Sequence, residues 1–143
     1  MRRIILSSVI VVLLTVLVVS ITGCGPKVLA DLTPGKDPAN TDFYCKLVTV
    51  GAETHVVVFV KNQGLATSAP TTTRIVFFLD EEDQVVEIPT PAINPGQTVE
   101  LPSVKLPTGF FSPDGVFKVI VDIGNCVEES IETNNEVICV IVG

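Results

Sequence analysis

Apolar and polar positions change rhythm twice along this chain. From Ile4 to Val19 the residues are almost unbroken aliphatics, and from 25 to 41, "GPKVLADLTPGKDPANT", no period survives among three prolines and two glycines. That second stretch predicts a flexible tether, about 60 Å long at full extension. From Asp42 onward, short runs of valine, isoleucine and phenylalanine alternate with turn-forming residues, the rhythm of strands. Seven are predicted: 43–50, 55–61, 72–79, 84–88, 98–105, 116–122 and 136–142. They are separated by "GAE", "NQGLATSAP", "DEED", "PTPAINPGQ" and "PTGFFSPDG", where glycine supplies left-handed backbone and proline withholds a ladder donor. No helical period persists after residue 24. Alternation places Val56, Val58 and Val60 on one face of their strand, and Phe117, Val119 and Val121 on one face of theirs. Seven short strands at this spacing predict an all-β fold, a single immunoglobulin-like antiparallel sandwich over 42–143.

The apolar leader changes where that sandwich resides. Arg2 and Arg3 precede the aliphatic run, and a small-residue step of Ile21, Thr22 and Gly23 leads into Cys24. This step resembles the bacterial lipobox. The resemblance implies removal of a signal peptide, 1–23, and acylation of the Cys24 thiol, so that 24–41 is a lipid-anchored tether. An uncleaved transmembrane anchor is the alternative, since the run approaches spanning length. Either way the arginines stay cytoplasmic, and the rest faces the outer side of the inner membrane, the outer membrane or the cell surface.

Charge narrows the partners. The 143 residues carry a formal charge of −7, which falls to −9 without residues 1–23 because two arginines and no acid leave. A chain this acidic repels phosphate backbones, which excludes nucleic acid as a partner and leaves the lipid anchor to hold the membrane. With Cys24 acylated, Cys45, Cys126 and Cys139 remain, enough for one disulfide in an oxidising compartment and open to three pairings. The start of the first strand lies at the end of such a sandwich where the last hairpin turns, which favours Cys45 with Cys126 and leaves Cys139 as the alternative partner.

Three stretches carry a family likeness: "VFVKNQG" (58–64), "INPGQTVEL" (93–101) and "GVFKVIVDIGNCVEESIETNNE" (115–136). In order and spacing they resemble the cell-adhesion-related domain found in bacteria, CARDB. Asn62 and Gly64 close a valine-rich strand, Pro95 and Gly96 form a turn, and Asp122, Asn125, Val127, Glu129, Glu132, Asn134 and Asn135 reproduce the closing motif. The likeness extends over about Phe43 to Val142. Two features depart from it: Ile131 where the family usually carries asparagine, and the cysteines at 126 and 139. The resemblance implies an immunoglobulin-like surface module and no reaction.

The closing motif also holds the densest group of metal-ligand types. Asp122, Glu129, Glu132, Asn134 and Asn135 carry enough oxygens to be weighed as a calcium site, which needs about six to eight of them at about 2.3–2.6 Å. Their spacing matches no EF-hand, and fastening of the last hairpin by backbone-directed hydrogen bonds explains them without a metal. No cofactor is therefore favoured, with calcium as the alternative. "DEED" at 80–83 reads as a solvated hairpin tip. His55, the only histidine, lacks a sequence partner for catalysis, no Gly-x-Ser-x-Gly elbow exists, and no tryptophan offers a sugar platform. Phe110 and Phe111, apolar residues in an apparent loop, either plug one end of the sandwich, the favoured reading, or contact a partner. These observations together lead to a non-enzymatic, membrane-anchored adhesion or protein-interaction module with an extracytoplasmic partner. The alternatives are a calcium- or carbohydrate-binding module, or an inhibitor or regulator of an extracytoplasmic enzyme.

Overall fold

The computed structural model describes residues 27–111 and 114–142. The signal segment 1–23 and the acylation position Cys24 lie outside the described residues. Nine strands occur among them: β1 (Leu32–Gly35), β2 (Cys45–Val50), β3 (Glu53–Asn62), β4 (Thr71–Phe78), β5 (Gln84–Thr90), β6 (Thr98–Glu100), β7 (Val104–Lys105), β8 (Gly115–Ile120) and β9 (Glu136–Ile141). All ladders are antiparallel, and they build two sheets.

The first sheet is organised by β3. β1 and β6 both pair with 59–61 of β3, and β2 and β7 both pair with 55–56. A strand has two edges, so β1 and β2 run in succession along one edge of β3, and β6 and β7 along the other. The junction on the first edge is close: Gly35 lies opposite Phe59 and Cys45 opposite Val58. Residues 36–44 are thus an excursion from one interrupted strand, tied by Asp37 N–H to Phe43 O (2.8 Å) and by Ala39 N–H to Asp37 Oδ1 (2.8 Å). On the second edge the chain breaks at 101–103, where Pro102 cannot donate a ladder bond. The second sheet has the order β5-β4-β8-β9.

Seven predicted strands become nine for two reasons. The expected strand 98–105 is divided into β6 and β7, and β1 arises in the stretch expected to be tether. The tether reading of 24–41 is corrected from residue 29 onward. Ala30, Asp31 and Leu32 are buried, Leu32 completely, and β1 continues to Gly35. Pro34 and Gly35 mask this strand in the sequence, yet proline is tolerated at an edge, where one side of the strand has no ladder to feed.

The core lies between the sheets. Val56, Val58 and Val60 of β3 face Ile75 and Phe77 of β4 and Phe117 and Val119 of β8, all with at most 1 % exposure. The expected alternation in β8 holds, with Lys118 and Ile120 only half-buried on the far side. β3 differs, since Val57 and Phe59 on its outward face are buried as well. Part of the cover over Phe59 is Lys46, whose Nζ lies 5.5 Å from the ring centroid. Each fully buried aliphatic or aromatic side chain contributes about 1.5–3 kcal/mol by leaving water, so this layer dominates the stability of the fold.

Candidate functional site

Residues from the three motifs meet at one end of the sandwich, around the N-terminal segment 29–33. Asn62, at the end of β3, is fully buried and makes four bonds. Its Oδ1 accepts from Asp31 N–H (3.1 Å) and Gly64 N–H (3.0 Å), and its Nδ2 donates to Ala66 O (2.7 Å) and Ile93 O (2.8 Å). Gly64 gives the chain room: a Cβ there would lie 2.5 Å from the backbone of Ala30 and Asp31. Gly96 follows Pro95 with a φ of 75°, a left-handed turn that aims its N–H at Asn62 O (2.7 Å).

The closing motif grips the same segment from the other side. Glu129 Oε1 accepts from Leu32 N–H (2.6 Å), and Asn134 Nδ2 donates to Asp31 Oδ1 (2.7 Å). Asp31 Oδ2 also accepts from Ser130 Oγ (3.1 Å), and Thr33 Oγ1 donates to Asn134 O (3.0 Å). Asp31 is a member of this site that sequence reading missed, because the tether assignment gave it nothing to hold.

Asp122 fastens the turn between β8 and β9. It adopts a φ of 50°, and Asn125 one of 46°, left-handed conformations that Asp and Asn accept more readily than most residues. Its carboxylate receives Cys126 N–H (3.0 Å) on Oδ1 and Val127 N–H (3.0 Å) on Oδ2, with the Thr71 hydroxyl also donating to Oδ1. Glu132 Oε1 accepts from Glu129 N–H (3.0 Å). Of the five residues weighed for calcium, Asp122, Glu129 and Glu132 accept from separate backbone, hydroxyl and amide donors, whereas Asn134 and Asn135 donate through Nδ2 to Asp31 and Glu129 and leave Oδ1 unpaired. Among the described residues no group of three or more carboxylate, histidine or cysteine side chains stands within metal-ligand reach. Ile131 is exposed, so the polar network runs around the position where the sequence departs from the family pattern.

Burial pushes the Glu129 carboxyl above the usual carboxylate range, against the opposing effect of the Asn135 and Leu32 donors. The folded chain then holds this proton more tightly than the unfolded chain, so stability from it is full below the ordinary carboxylate pKa and is lost as pH rises through the elevated one. Glu129→Gln is expected to flatten that loss from about pH 4 upward. Its amide can keep the Leu32 bond and, after a flip of Asn135, donate to the Asn135 Oδ1 that has no partner here. Thermal melts across pH check this, and an unchanged slope in the variant refutes it.

The remaining candidates separate. Phe110 is buried and packs edge-on against Phe77 at 5.3 Å between centroids, with its ring over Gly115, where a Cβ would come within 2.2 Å of it. Phe111 is 41 % exposed, so the plug and the available surface fall on different members of the pair. "DEED" is exposed at the β4–β5 tip. His55 sits in β3 with Nε2 3.8 Å from Glu53 Oε2, two residues back on the same strand, and Nδ1 3.3 Å from Ser103 Oγ, which the pairing of β7 with β3 brings near. Glu53 also binds Lys105, and the cleft beside it is lined by Leu106, Pro107 and Phe111 rather than by His55 or Ser103.

The favoured pairing of Cys45 with Cys126 is not formed, and the three thiols are free. Cys126 is exposed in the turn held by Asp122, whereas the Cys45 thiol is in hydrogen-bond contact with that of Cys139. The expectation failed because it placed the start of the first strand at the end of the sheet. In the fold that strand starts at β1, and Cys45 falls midway along the interrupted edge.

Two sheets of this order, closed at one end by buried asparagine and carboxylate bonds, define an immunoglobulin-like β-sandwich module. The chain belongs to the CARDB family, whose model matches residues 29–138. That match begins where the structure begins to bury side chains, well before residue 42. A solution NMR structure of a domain of a protein described as a cell surface protein, from Methanosarcina acetivorans, is similar at 19% sequence identity and a TM-score of 0.47, covering 80% of this chain and 91% of that one. No curated protein matches.

Proposed function

We propose that this chain is a non-enzymatic surface lipoprotein, held to the membrane through acylated Cys24, whose sandwich is an extracytoplasmic protein-interaction module. The observation that carries the reading is the outer edge of the second sheet. β9 pairs only with β8, and its outward side chains Ile138 and Val140, with Val142 just past its end, are 60 %, 60 % and 79 % exposed. The opposite edge strand, β5, carries exposed Glu87 and Pro89, two devices that discourage pairing. β9 has neither from Val137 to Val142. An added strand from a partner would gain main-chain hydrogen bonds from β9 and side-chain contacts from its apolar row. Family membership and the lipobox-like leader support the same setting, and the acidic charge fits a protein partner better than a nucleic acid.

Cells displaying the whole chain test this. Palmitate labelling should depend on Cys24, and protease added to intact cells should remove the sandwich. Ile138→Lys and Val140→Lys, at exposed positions, should leave the melting temperature close to that of the parent while abolishing adhesion to the cognate surface. Adhesion that survives both substitutions would place the contact elsewhere; absence of labelling would remove the anchor.

A further inference from the structure

The seam between the two sheets is bonded at one end and open further along. Near the fastened end, Ser130 N–H donates to Ala30 O (3.0 Å) and Thr33 Oγ1 to Asn134 O, which ties the β1 side to the start of β9. Beyond that, the seam runs between β2 and β9, edge strands of opposite sheets. Cys45 opens β2 opposite Val58, and Cys139 lies in β9 opposite Phe117, both residues of the core layer. The two cysteines therefore point inward from facing edges and meet there. Cys126 is elsewhere. Its turn is anchored at Asp122, beside Asn135, four residues before Cys139 and about 13 Å away along a strand. A disulfide needs Cα atoms within about 7 Å, so neither of its pairings is reachable without moving backbone.

The geometry points to a modification site: Cys45 and Cys139 oxidise to an intersheet disulfide that closes the β2–β9 seam, with Cys126 left as an exposed thiol. The oxidant is a disulfide-bearing thiol donor, protein or small molecule. The Cys45 thiolate attacks it, forming a mixed disulfide and releasing one thiol. Cys139 then attacks Cys45 sulfur and releases the second, so two cysteine thiols are oxidised, two donor thiols are formed, and the two protons pass to the leaving sulfurs. The order follows from the environment. Cys45 is the more exposed of the two and its thiol is held below its ordinary pKa by the Cys139 hydrogen bond, while that bond and burial push Cys139 up.

The test uses the whole chain carrying Cys24→Ser, so that only three thiols are counted, and is independent of the proposed surface role. The reduced protein is incubated with oxidised glutathione, alkylated and mapped without reduction. The expected result is a cross-linked peptide pair containing Cys45 and Cys139, with Cys126 alkylated or glutathionylated, and a melting temperature for the oxidised form higher by about 10 °C or more. The same link should form with Cys126→Ser added. A bridge containing Cys126, or only glutathione adducts on Cys45 and Cys139, would overturn the proposal.

Discussion

Asn62→Ala is expected to lower the unfolding free energy by about 4 kcal/mol, read as a fall in urea midpoint at unchanged slope. The substitution strips the side-chain partner from Asp31 N–H, Gly64 N–H and Ala66 O at once, and one of two partners from Ile93 O, which keeps Ser68 N–H. Each buried polar group left unpaired costs about 1–3 kcal/mol, and water reaching some of the three keeps the sum below their total. Domains of this size are stable by about 5–15 kcal/mol, so the loss is a large fraction of the whole. Asn62→Asp separates the chemistry from the shape. It keeps the acceptor on Asp31 and Gly64 but turns an oxygen toward two carbonyl oxygens, and it should be about as destabilising as alanine. An aspartate variant as stable as the parent would show that the two donated bonds carry no weight.

Gly64→Ala is expected to destabilise by about 3 kcal/mol, near the upper end for overpacking. The added Cβ would lie 2.5 Å from the carbonyl carbon of Ala30 and the amide nitrogen of Asp31, and backbone atoms have no rotamer by which to retreat. The N-terminal segment must therefore lift, which breaks Gln63 N–H to Asp31 O (2.8 Å) and Leu65 N–H to Leu29 O (2.9 Å). Limited proteolysis is the sharper measurement: cleavage between 27 and 35 should become fast while the β4–β9 region stays protected. Protection equal to the parent's would mean that the segment is not seated against Gly64. Since Asn62→Ala frees the same segment, the double variant should lose less than the two singles added together.

Much of the fold was legible. The strand positions of β4, β5, β8 and β9 and the inward row of Phe117, Val119 and Val121 follow from period-two burial, which a single strand's own sequence records, and β3, buried on both faces, was legible from its unbroken run of valine and phenylalanine. The residues of the site were legible as a motif, but their bonding was not. Asn62 is separated by 31 residues from both Asp31 and Ile93, and nothing local distinguishes an asparagine that holds four backbone groups from one that caps a turn. Asp31, Leu32 and Pro34 looked like linker because proline and glycine dominate the neighbouring composition, while the strand they form is imposed by β3 and the closing motif.

By itself, then, the sequence determined that this protein is an all-β sandwich carrying the three CARDB motifs, because alternation, turn chemistry and motif spacing are properties of consecutive residues. Only the tertiary structure decided that the domain starts near residue 29, that β1 and β2 are one interrupted edge, and that Cys45 faces Cys139. Those outcomes depend on which edge of β3 each segment occupies, and edge choice is settled by the simultaneous burial and hydrogen bonding of segments far apart in the chain.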